Sequence, residues 1–491
     1  MCRYNDHETQ HQKSILDMCL DKKTAEQIYD SGKEQTVSWM MLLDAKVDEL
    51  TEKVAKLSKN SSNSSKPPSS DIVKPDRAER RRDNKKRTKG GQPGHPKWER
   101  TPFAQDEVIP IEHTLTVCPH CASPLEKLRD EPPLIVQQVE VVTPAVKKTE
   151  HRANAYWCPR CRRIHYASFP PGVTKAGLFK ADISAMVCFF KYVGCMSLSG
   201  IKKYLHDALG ISVTKGYLVK VLQKGSKALE SSYDELLQAL PFQRIVNGDE
   251  TGHKENGDKF WTWVFRSNLF TLFKISPSRG SDVLIDVLGK EFNGVLGCDY
   301  FSAYRKFMTD FDVTMQFCLA HLIRDVKFLV DFPDSSVKRY GTKILDSLRD
   351  LFHTIHLRES MSPEKFTAQL ELKKAAVLKA GLGYVPARSE AQNMAKRFRE
   401  NGDFYFTFIT TPQIDPTNNC AEQAIRFVVI YRKVSQGTRS EKGRLACERF
   451  FTVAATCARQ GKSAYAFIKD AFEKYFANLP GPSLLPTVES G

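Results

Sequence analysis

The chain has 491 residues, 41% of them apolar and 26% charged, a soluble composition long enough for several domains. Its 73 Lys and Arg outnumber 57 Asp and Glu, a net charge of +16 that favours a polyanionic partner, either nucleic acid or an anionic membrane face. No run approaches the ~18 apolar residues of a spanning helix, and the N-terminus lacks a basic-then-apolar leader, so no membrane partner and a cytoplasmic location are expected.

Met40, Leu43, Val47, Leu50, Val54 and Leu57 are spaced 3, 4, 3, 4, 3, a heptad seam within a helical segment placed at 1–57. One amphipathic helix packed on its own domain shows the same pattern. A dimeric coiled coil is favoured, because SKNSSNSSKPPSSD at 58–71 follows and offers no core to pack on. Residues 74–100 then hold eleven Lys/Arg against four Asp/Glu and few apolar residues. The whole 58–100 stretch is expected to be a disordered basic linker. Its Arg80, Arg81, Arg82, Lys85, Lys86 and Arg87 are candidate phosphate contacts, the alternative being a merely solvated run.

Two CxxC pairs follow, Cys118–Cys121 and Cys158–Cys161, with thirty-six residues between Cys121 and Cys158. Thirteen scattered cysteines do not read as a disulfide framework. Two knuckles in one short β-rich region, 101–172, can present four thiolates to one structural Zn²⁺. Residues 183–192, 197–209 and 215–227 read as helices broken at Gly194 and Gly210, within a helix-turn-helix-like region at 173–240. Beyond 241, strand-like runs at 244–246, 260–265 and 269–275 precede a helix at 281–288 and another strand at 294–298. That succession fits an α/β sheet. Residues 335–405, 420–434 and 443–476 read as helical, and 477–491 as a tail. Residues 416–474 again concentrate positive charge, eleven Lys/Arg against five acids, but among apolar side chains that mark a folded segment.

Asp249 and Asp299 each close a strand-like run, RIVNGD and GVLGCD, and Glu422 lies at an expected helix start. Three carboxylates on separate elements can hold two divalent ions ~3.5–4 Å apart for in-line displacement at phosphorus. Hard Mg²⁺, or Mn²⁺, suits such oxygen ligands. Spacing alone does not separate these acids from ordinary turn residues and caps. No GxxxxGK[ST], strand-linked GxGxxG or GxSxG is present, which removes the main support for nucleotide-binding and hydrolase classes.

Several motifs in order resemble transposases of the insertion sequence 66 family, within the DDE group. They are the SSNSSKPPSSD tract, GGQPGH at 90–95, the two CxxC pairs, GDETG at 248–252, CDYFSAYRKF at 298–307, CLAHLIRD at 318–325, NNCAEQAIR at 418–426 and GTRSEKGR at 437–444. The resemblance implies a ribonuclease-H-like core over 241–476, interrupted by a helical insertion at about 335–405. It implies Asp249, Asp299 and Glu422 as the catalytic acids on Mg²⁺, and His321 and Arg324 as a histidine–arginine motif. Arg426, in NNCAEQAIR, joins them as a DNA-contact candidate. Asp325 stands where a second basic residue is more usual. Implied partners are element-end and target DNA, a second copy of the chain, and small accessory proteins encoded beside it. The implied location is the bacterial nucleoid. The rival reading is a non-catalytic, zinc-dependent DNA-binding protein or an inactive remnant.

Overall fold

The computed structural model describes residues 22–57, 59, 146–160, 162–169 and 177–485, with scattered positions between 102 and 137. The basic run with Arg80, Arg81, Arg82, Lys85, Lys86 and Arg87 lies outside the described residues, as do Cys118, Cys161, most of the β-like run at 134–142 and the end of the tail. The chain forms two compact units. One comprises Met1–Ile72, Ala176–Leu198 and Gly216–Gly491; the other comprises Val73–Lys175 and Ser199–Lys215.

Two helices open the first unit, α1 (Lys22–Asp30) and α2 (Lys33–Leu57). The six seam residues of α2 all stay exposed, from 42% at Leu43 to 77% at Leu57, so the chain by itself leaves the apolar stripe uncovered. In the second unit, β1 (Ala155–Cys158) pairs antiparallel with β2 (Arg163–Tyr166). This hairpin places Cys158 at the end of its first strand. Its Tyr156, Trp157, Ile164 and Tyr166 are exposed.

The three expected helices are present as α3 (Ala181–Tyr192), α4 (Leu198–Leu209) and α5 (Lys215–Ala228). All but the first residue of α4 belongs to the second unit. It ends at Gly210, whose φ of +61° suits a residue without Cβ, and the Ile211 amide returns to Leu205 O at 2.9 Å. A short helix, α6 (Glu230–Ala239), leads into the sheet.

The sheet has five strands: β3 (Ile245–Glu255), β4 (Asp258–Arg266), β5 (Thr271–Ser276), β6 (Val295–Cys298) and β7 (Thr314–Phe317). Their order is β5-β4-β3-β6-β7. The first three form an antiparallel meander, and β6 and β7 run parallel to β3. Between them come α7 (Ser281–Leu288) and α8 (Ser302–Phe311), and then α9 (Leu319–Val330). Such connections supply the crossovers that parallel neighbours require. The sequence reading assigned neither β7 nor α8; four residues, TMQF, are too few to show a period.

The helical stretch expected at 335–405 consists of α10 (Ser335–His356), α11 (Pro363–Leu382) and α12 (Ser389–Asn401). After the single turn α13 (Thr407–Thr410) come α14 (Asn419–Ser435), α15 (Glu441–Arg459) and α16 (Ala464–Phe476).

α15 covers the edge strand β5 by matching periods. Glu448, Thr452 and Thr456 accept from the amides of Ile275, Phe273 and Thr271 at 2.7, 3.0 and 3.2 Å. Four helical residues advance ~6.0 Å and two strand residues ~6.6 Å, so one face of the helix satisfies successive outward amides. An edge that would otherwise pair with another chain is closed. On its other side α15 packs with α3, α5 and α16. Tyr192 stacks on Phe450 at 4.3 Å, and Gly225 leaves room where any Cβ would come within 2.9 Å of Cys188, Phe450 and Phe472. The face of α5 turned to solvent carries Lys215, Lys220, Lys224 and Lys227.

Candidate active site

Asp249 does not end its strand: β3 continues to Glu255 because β4 pairs with it antiparallel from Asn247 to Glu255. What ends is the parallel partner. β6 pairs with β3 only from Ile245 to Asn247, opposite Val295 to Gly297. Asp249 and Asp299 each lie two residues beyond the last pair, Asn247↔Gly297. Side chains alternate along a strand, so both acids lie on the face that carries Asn247. They flank the cleft where two parallel strands part.

One oxygen of each carboxylate is held locally. Asp249 Oδ1 accepts from the Glu250 amide and Asp299 Oδ1 from the Phe301 amide, both at 2.9 Å. Burial, then Glu250, Asp299 and Glu422, push the Asp249 carboxyl well above the usual range. Burial first, then Glu250, push Asp299 up to about 7, against the Phe301 amide, Arg279 and Arg397. A cluster of oxygen donors that repel one another fits a divalent cation, and hard Mg²⁺ or Mn²⁺ matches the donor set.

Glu250 turns to the opposite face. Its side chain accepts from Arg279 Nη2 at 2.7 Å and from Tyr304 Oη at 2.9 Å, and the Arg279 guanidinium lies 3.9 Å from the centre of the Phe301 ring. It is a buried, paired structural acid.

Glu422 stands in the first turn of α14, and that turn is tied to the sheet by Asn418. Asn418 Nδ2 donates to Gly248 O at 2.7 Å, and its Oδ1 accepts from Asn247 Nδ2 at 3.0 Å. Its amide donates to Cys318 Sγ at 3.2 Å. Gly297 belongs to the same device, because a Cβ there would overlap the Asn247 amide group. The sequence reading found none of these positioning residues. An Asn before a helix reads as an N-cap, whereas this side chain makes no capping bond and serves the sheet instead.

His321 and Arg324 converge on Glu422. Arg324 Nη2 lies 3.3 Å from Glu422 Oε1 and 2.9 Å from His321 Nε2. A guanidinium only donates, so Nε2 accepts and the neutral ring carries its proton on Nδ1. Burial and then Arg324 hold this histidine down at about 4, which keeps it neutral. Its Nδ1 faces Glu422 Oε1 at 3.6 Å. Cys318, His321 and Glu422 are the group of possible metal ligands within 4.8 Å of one another among the described residues. With Nε2 engaged by Arg324, His321 makes no hydrogen bond from its buried Nδ1 among the described residues. The three catalytic candidates do not meet within that distance: Asp249 and Asp299 share a sheet face, while Glu422 is drawn toward Arg324. Arg426, one turn beyond Glu422, is exposed.

Asp325 pairs with Arg397 of α12 at 2.8 Å. Of the four zinc candidates, Cys121 is exposed and Cys158 partly buried. The GTRSEKGR segment is structural: Thr438 exchanges backbone hydrogen bonds with Lys254 O and the Asn256 amide, and Arg444 pairs with Glu255 at 3.2 Å.

A model of the Transposase IS66 family matches residues 176–445, more than half of the chain. A second, described as a family of unknown function (DUF6444), matches residues 24–101. No curated protein matches the chain.

Proposed function

The chain belongs to the Transposase IS66 family, and we propose that it is an active DNA transposase of the DDE type with a ribonuclease-H-like core. The observation that carries this reading is the pair of buried aspartates, Asp249 and Asp299, just beyond the last β3–β6 pair, with the Glu422 charge acting on Asp249. The strand order β5-β4-β3-β6-β7, an antiparallel meander followed by two parallel strands, supports the core assignment. Burying carboxylates that repel one another costs stability, which a remnant without catalytic duty has no reason to keep.

In this reading Asp249, Asp299 and Glu422 hold the metal ions. Bound Mg²⁺ would activate the attacking oxygen and stabilise the leaving oxygen at phosphorus. Asp249 and Asp299 are oriented by the amides of Glu250 and Phe301. Arg324 offsets the charge of Glu422 at 3.3 Å, and Glu422 would join Asp249 and Asp299 as a ligand when the ions are bound. The reaction is strand cleavage at element ends, then attack of the released 3′-hydroxyl on target DNA.

The remaining regions serve assembly and DNA. Cys118, Cys121, Cys158 and Cys161 would supply the four thiolates of a structural Zn²⁺ site. The run at 74–100, the lysine face of α5 and Arg426 contact phosphates. The α2 seam pairs two chains. Accessory proteins from the same element assist. The test is strand cleavage of linear DNA carrying the element's ends, with Mg²⁺, with and without those accessory proteins. New 3′-hydroxyl ends at the element boundary support the proposal, and intact strands under both conditions oppose it.

A further inference from the structure

Beside the acids lies a cavity of about 520 Å³, lined among others by Tyr300, Arg305, Asp325 and Arg397. Tyr300 directly follows Asp299, and the charge of Arg397, another lining residue, acts on the Asp299 carboxyl, so the cavity adjoins the candidate active site. Two guanidinium groups lie over its ring, Arg397 of α12 at 3.9 Å and Arg305 of α8 at 4.6 Å from the ring centre. Arg397 is 10% exposed; its Nη1 bonds Asp325 at 2.8 Å and its Nε bonds Tyr405 Oη. Its Nη2 and the Nε of Arg305 are buried and have no hydrogen-bond partner among the described residues.

Leaving one such donor unsatisfied is costly, and more so for a charged group. Both side chains line this one cavity. Five basic and three acidic side chains line the cavity. Two of the other cations are already paired, Lys56 with Glu390 at 3.1 Å and Lys396 with Glu400 at 3.7 Å. Asp325, the departure from the basic residue expected in CLAHLIRD, anchors Arg397. The cation missing from that motif is thus supplied from the helical insertion.

We propose that this cavity binds a phosphate group of the DNA strand that runs past Asp299, with Arg305 and Arg397 as its donors. Guanidinium groups match phosphate oxygens in charge and fork geometry. The assignment rests on the transposase reading and adds a subsite to it.

The test uses the full-length protein without divalent metal and a short fluorescein-labelled oligothymidylate, followed by anisotropy over a salt series. Arg305→Ala should bind about tenfold more weakly, and its log–log salt slope should fall by ~0.7, one contact on single-stranded DNA. Arg305→Lys, which keeps the charge, should recover most of the affinity. Inorganic phosphate should compete with the wild type and not with Arg305→Ala. Unchanged affinity and slope in a folded Arg305→Ala protein would overturn the subsite while leaving the transposase reading in place. Phosphate that raises the wild-type melting temperature, with oligonucleotide binding unaltered in Arg305→Ala, would assign the cavity to free phosphate and overturn the strand assignment. A wild-type protein that binds no oligonucleotide would sink the transposase reading and the subsite together.

Discussion

Asn418 and Asn247 meet amide to amide at 3.0 Å, both buried, and join the helix that carries Glu422 to the strand that carries Asp249. Two catalytic candidates 173 positions apart are therefore set by one side-chain pair whose members lie two and four residues from them.

Asn418→Ala removes the donor to Gly248 O and the acceptor for Asn247 Nδ2. Two buried polar groups lose their partners, at ~1–3 kcal/mol each. We expect a loss of about 2–4 kcal/mol in denaturant unfolding, together with a several-fold rise in the Mg²⁺ needed for half-maximal cleavage. Lower stability with an unchanged Mg²⁺ requirement would make Asn418 merely structural.

Glu448 gives a pH test away from the site. Burial pushes its carboxyl from an ordinary 4.5 up to about 7, although it accepts from the Ile275 amide. Between those values the folded chain holds a proton that the unfolded chain has released. The contribution is present below about 4.5 and is lost as pH rises through about 7. Glu448→Gln keeps an acceptor for Ile275 and cannot ionise. It should be more stable than the wild type at pH 8, by on the order of 1–3 kcal/mol, and equal to it near pH 4. Identical melting curves at both pH values would refute this.

The exposed seam of α2 predicts pairing of two chains through Met40 to Leu57. Proline inside a helix costs ~3 kcal/mol or more. Leu50→Pro should lower the sedimentation coefficient toward that of a monomer and reduce non-specific DNA affinity, with every basic residue intact. A wild-type protein that sediments as a monomer at micromolar concentration would exclude the pairing.

Elements with a strong period were legible in the sequence. The helix at Ser281–Leu288 and the strands around Trp263 and Phe273 follow from local pattern. So does the α2 seam, because each of its residues obeys one spacing. Asp249 and Asp299 stood out as acids ending apolar runs, yet only the resemblance singled them out among 57 acids. Long-range pairings were not legible. Arg397 finds Asp325 across 72 positions, and no local rule links them. Glu448, Thr452 and Thr456 have the spacing of a solvated helix face and prove buried, because the amides they serve belong to a strand some 180 residues away. Asn418 was not singled out either, because the groups it serves, Gly248 O and Asn247 Nδ2, lie about 170 positions away.

The central claim is that Asp299 holds a catalytic cation, and Asp299→Asn tests it most directly. The amide keeps the shape and the bond from the Phe301 amide but loses the charge. Changing residues that only support a metal ligand costs 10–100-fold, so losing a ligand itself should cost more than ~100-fold in strand cleavage. DNA affinity measured without metal should stay within about twofold of the wild type. Cleavage by Asp299→Asn at close to the wild-type rate would contradict the account.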